Sequence, residues 1–140
     1  MITIEDINKV IEKIKNEHTK EYIGISISGD RGLNVSTSKF GGVPYIAQDA
    51  EAPVDAEGNQ LALLAQINCS ELPENDIYPK EGLLQFWISR DDSFGLNSKG
   101  TNVVKYIKDI DENITNGDIL NKYHLPSEDN ADEYSPFQEK

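Results

Sequence analysis

The sequence predicts an α+β domain: a β-rich, mostly antiparallel sheet or roll with one amphipathic helix packed on it from the N-terminus. Three observations lead there. One strong helical pattern opens the chain, and three later runs are short and apolar enough to be strands. The connections are rich in proline and glycine and lack the helical patterns of about 10–15 residues that separate the strands of a doubly wound parallel sheet. A chain of 140 residues suffices for one hydrophobic core, so 1–140 reads as a single domain, with 127–140 as a polar, flexible tail.

The helix starts at Thr3, with Asp6 three residues on, a capping-box spacing in which hydroxyl and carboxylate satisfy orphan backbone donors. Ile4, Ile7, Val10, Ile11 and Ile14 then share one face, while Glu5, Lys9, Glu12, Lys13, Lys15 and Glu17 fall mostly off it. A polar face of mixed charge suits docking on protein, whereas a membrane-surface helix wants a basic one. Ile23, Ile25 and Ile27 alternate with Gly24, Ser26 and Ser28, which predicts a strand with one buried face. A turn at residues 29–32 and a second short strand at Leu33 and Val35 are expected next.

Residues 38–58, broken by Pro44, Pro53 and Gly58, read as a long ordered loop with short extended pieces. Strands are predicted at Leu61–Asn68, Leu83–Arg90 and Asn102–Ile107. Adjacent Phe86 and Trp87 imply that both faces of the second are at least partly covered, and in the third Lys105 lies opposite Val104 and Tyr106. Pro73, Pro79 and Gly82 keep residues 70–82 irregular. From Asp109 to Lys140 nine acids stand against two lysines, and only Ile114, Ile119, Leu120, Tyr123 and Leu125 remain as apolar anchors.

Charge narrows the partners. The net charge of −12, from 25 acids and 13 bases, repels nucleic-acid phosphates and anionic lipid head groups. It favours a basic protein partner, or none. Cys69 is the single cysteine, which excludes an internal disulfide and a four-cysteine zinc site. No apolar run reaches the roughly 20 residues that span a bilayer, and the first ten residues do not resemble a signal peptide. A cytoplasmic location is expected.

The candidate binding residues are Lys39, Phe40, Gly41, Gly42, Pro44, Gln66, Gln85, Trp87 and Asp91. The two glycines permit close approach of a ligand, and with Lys39 beside them the loop could bind a phosphate. The spacing matches neither common phosphate-loop pattern, so the same residues also read as a tight turn packing Phe40 and Pro44 inward. Gln66 and Gln85 interrupt apolar strands, and buried amides need partners: a loop backbone or a ligand. Asp91 and Asp92 offer oxygens for a cation, or simply a solvated turn before Phe94 and Gly95. Cys69 reads as a small buried residue or a nucleophile awaiting a histidine. His18 and His124 lack metal-ligand spacing. No cofactor or metal is called for, and no catalytic residue is assigned.

Three blocks, SKFGGVPYI (38–46), LLAQINCSELP (63–73) and YPKEGLLQFWISRDDSFGL (78–96), resemble the YwqG-like family of uncharacterised bacterial proteins, a domain-of-unknown-function family. The resemblance implies a predominantly β architecture and a longer chain, with SPFQEK as the lead-in to a second half. It implies no reaction. A chain matching half of that pattern is expected to self-associate through an open sheet edge. Two functional readings follow. One is an acidic interaction module without a catalytic motif, whose most specific version is an immunity-type protein that neutralises a basic toxin. The other is a small-molecule binding protein or hydrolase with a pocket at the Gly41–Gly42 loop.

Overall fold

The computed structural model describes residues 1–29, 34–96 and 99–123. Its elements run α1 (Ile4–His18), β1 (Lys39–Phe40), β2 (Ala62–Asn68), β3 (Leu83–Ile88), β4 (Asn102–Ile107) and α2 (Asn116–Lys122). The four strands form one antiparallel sheet in sequential order, β1-β2-β3-β4. The expected α+β class, with a helix preceding an antiparallel sheet, is what the chain forms.

Helix α1 starts as its cap dictates. The Thr3 hydroxyl accepts from the Asp6 N–H at 3.2 Å, and the Asp6 carboxylate accepts from the Thr3 N–H at 2.9 Å. Lys9 and Glu5 pair at 2.9 Å along the helix. The expected docking is not seen: α1 has no buried residue. Nor do Ile23–Ser28 form a strand. They stay outside the ladder, with Ile25 and Ile27 exposed, because period-two apolarity creates a face but not a pairing partner. Val35 lies in a turn, and Leu33 falls outside the described residues, as do His124, Leu125 and 127–140.

Among the described residues the packed cover lies on one side of the sheet, and the other side is only bordered, by residues 23–28, Leu72, Pro73 and Tyr78. Leu63, Trp87 and Leu83 point into the core with Val103 and Ile107 packed beside them. The cover comes from the loop carrying Tyr45, Ile46 and Ala52, and from Ile119 and Tyr123 in and just after α2. In the sequence that helix shows only as scattered apolar anchors. Its start repeats the α1 device, since Thr115 and Asp118 form a second capping box. The Tyr123 hydroxyl donates to the Ala50 carbonyl at 3.0 Å and fixes α2 to the loop.

A β-bulge between Leu63 and Ala65 decides what faces the core. Strict alternation from Leu63 would put Ala65 inward and Gln66 outward. The extra residue, Leu64, reverses this, so Leu63 pairs with Trp87 and Gln66 with Gln85 on the same face. The Leu64 carbonyl accepts from the Gly41 N–H at 3.0 Å, which ties the Gly41–Gly42 turn to the bulge.

Candidate functional site

Eight of the nine candidate residues gather around β1, β2 and β3, and the bulge is what assembles them. Gln66 is 1% exposed and uses its whole amide. Its Nε2 donates to the Val35 and Thr37 carbonyls at 2.8 and 2.9 Å, while Oε1 accepts from the Tyr45 N–H at 3.0 Å and from Gln85 Nε2 at 2.8 Å. Gln85 Nε2 donates in addition to the Tyr45 carbonyl at 2.7 Å, and its Oε1 accepts from Trp87 Nε1 at 3.2 Å. The two glutamines therefore pin two loop segments, 35–37 and Tyr45, to the sheet. A buried network with every member satisfied fixes geometry and leaves little capacity for a ligand.

Lys39 turns inward as well. Its ammonium donates to the carbonyls of Asn34 at 2.8 Å, Val35 at 3.1 Å and Val43 at 2.9 Å. Burial pushes its pKa down to about 8, with the charge of Glu71 opposing the shift. Gly41 and Gly42 both have positive φ, 62° and 70°, which permits the turn that brings Val43 back over Lys39. Pro44 is fully buried behind them.

Phe40 goes the other way. It pairs with Ala65, and its side chain joins those of Ile67, Leu84 and Phe86 beside residues 23–28 in a groove of about 480 Å³. Among the described residues this is the less covered face of the sheet. Farther across it Val104 is 66% and Tyr106 46% exposed. The alternation in β4 thus places Val104 and Tyr106 outside and Lys105 on the core side between Val103 and Ile107, with Lys105 opposite Val104 and Tyr106 as expected.

Asp91 is apart from the rest. Its Oδ1 accepts from the Ser93 N–H and hydroxyl and from the Gly95 N–H, at 2.7–2.9 Å. The Gly95 N–H and the Ser93 hydroxyl hold its pKa down at about 2. Beside it, Asp55, Gln60, Arg90 and Lys99 line a cleft of about 690 Å³. Gln60 Nε2 is buried there without a hydrogen-bond partner among the described residues. Cys69 is buried, and burial pushes its thiol pKa up, away from the thiolate a nucleophile needs.

The outer surface of the cover layer is acidic. Between them, residues 43–61 and 108–123 hold eight carboxylates, among them Asp49, Glu51, Asp109 and Glu112, against Lys108 and Lys122. The Tyr45 hydroxyl accepts from the Asp111 N–H at 2.8 Å, and Lys122 reaches Glu51 at 3.3 Å, so the two stretches form one layer. Tyr45, central to both the network and this layer, was not among the candidates. The sequence places it in the long loop 38–58, and nothing local announces its contacts 21 to 66 residues away.

No helix among the described residues is long and apolar enough to cross a membrane. No curated protein matches the chain. Residues 38–139 match a family described as Domain of unknown function (DUF1963).

Proposed function

The chain belongs to the DUF1963 family, and we propose that it is a protein-binding module that takes a basic partner on its acidic cover layer. The observation that supports this is the layer itself: eight carboxylates against two lysines, carried on a backbone fixed by the Gln66–Gln85–Tyr45 network. A rigid surface of one sign raises the encounter rate with the opposite sign and loses little entropy on docking. The resemblance of residues 38–96 to the YwqG-like family lies inside the matched span and adds no reaction to this reading. An immunity-type role is its most specific form. A ligand pocket at the Gly41–Gly42 loop is less well supported, because Lys39, Gln66 and Gln85 already bond to the loop backbone or to one another.

The test is capture of basic proteins by the immobilised chain at low ionic strength, followed by association kinetics with the captured protein. Asp49→Lys, Asp109→Lys and Glu112→Lys together should slow association at least about tenfold at low salt. An equal charge change at Glu74, Asp76 and Glu81, in the β2–β3 connection, should have a smaller effect. Retention of no basic protein, or equal loss in both triple variants, would overturn the proposal.

A further inference from the structure

Two apolar surfaces of this chain have no packed partner among the described residues. From Met1 to Gly29 every residue is exposed except the half-buried Ile23, and the isoleucine stripe of α1 lies in solvent, with Ile4 77% exposed. The less covered sheet face is the second. Residues 23–28 border it on the β1 side without joining the ladder, so the arm passes the sheet while α1 buries nothing on it. A four-turn helix gains most of its stability by burying such a stripe.

We propose that the open sheet face is covered by α1 of a second copy of this chain, the two copies exchanging helices about a two-fold axis. Dimensions fit: 15 residues make a helix about 22 Å long, and four strands about 4.8 Å apart make a sheet of similar width. Charge fits as well. The rim of the face carries Glu71, which lines the groove, and Glu81, whose carbonyl accepts from the Tyr106 hydroxyl at 2.9 Å. On the polar flanks of α1, Lys9, Lys13 and Lys15 each pair with a glutamate of the same helix, so the helix is nearly neutral in a chain of net charge −12 and meets little repulsion at this rim. Exchange also makes the contact twice, which favours the roughly 800 Å² per partner typical of stable interfaces. This surface is opposite the acidic cover layer, so the two proposals stand or fall separately.

Sedimentation of the full chain, with the Trp87 near-ultraviolet signal as a check on folding, tests it. The unmodified chain should sediment at twice its 15.6 kDa mass. Ile7→Glu with Ile11→Glu on the helix, or Val104→Lys on the sheet, should each give a folded monomer, while Leu120→Lys on α2 should leave the dimer. Mixing the helix variant with the sheet variant should restore a heterodimer, because one intact helix then meets one intact face. A monomeric parent chain, a dimer that survives either variant, or a mixture that stays monomeric would overturn the exchange.

Discussion

At the scale of single residues, the structure ranks the glycines and the polar core in a way that composition does not. Gly42 has positive φ but open surroundings, the nearest contact of an added Cβ being Lys39 Cδ at 3.8 Å. Gly82 has φ +92°, and a Cβ there would lie 2.5 Å from the Ile107 carbonyl oxygen. Gly42→Ala should therefore cost about 1 kcal/mol, the left-handed strain alone, and Gly82→Ala distinctly more, because a backbone oxygen must move. Chemical denaturation of the two variants measures this. Gln66→Ala strands the Tyr45 N–H, the carbonyls of Val35 and Thr37, and one Gln85 donor, and should destabilise by about 3 kcal/mol or more. A loss well under 1 kcal/mol would mean that the network contributes little to the fold.

At the scale of elements, the two helices share one device and differ in what they bury. Helix α2 is only seven residues long and is held by Ile119 and Tyr123 against the core. Thr115→Ala removes its capping box and should cost about 1 kcal/mol, read as a lower melting temperature. The Lys39 staple gives β1 a pH signature. An unfolded lysine titrates at its ordinary value of 10.5, whereas the folded one is pushed down to about 8. Between those values the unfolded chain holds a proton that the folded chain has released, so this residue's contribution to stability grows as pH rises through that window and is lost as pH falls towards 8. Compared with Lys39→Met, the native chain should gain stability from pH 8 to pH 10. A flat or opposite difference would show that the three carbonyls keep the ammonium charged.

For the whole molecule, the decisive feature is that, among the described residues, one sheet face carries the packed cover and the other stays largely open. The net charge of −12 compounds this, since self-repulsion opposes compaction and association alike. Added salt screens exposed charges over about 10 Å at 0.1 M, so raising ionic strength from a few millimolar should raise the melting temperature and strengthen self-association. The same salt should weaken capture of a basic protein. Opposite salt responses of these two contacts, followed in one titration, are the signature of a molecule with one apolar and one acidic face.

The sequence by itself determined the capped α1, the strands β2, β3 and β4 within one or two residues, the irregular loops and the charge, but not the two-residue β1. Each of these depends on neighbours close along the chain: a hydroxyl three residues before a carboxylate, alternation over six positions, a proline that cannot donate. It also singled out Gln66 and Gln85 as amides needing partners. Only the tertiary structure decided which partners these are, because the Leu64 bulge that turns Gln66 towards Gln85 leaves no mark in an apolar run. The same limit hid α2 and the role of Tyr45, and made a strand of Ile23–Ser28. Whether an apolar face is buried depends on what lies across from it in space, and a pattern along one chain specifies the face but not its cover.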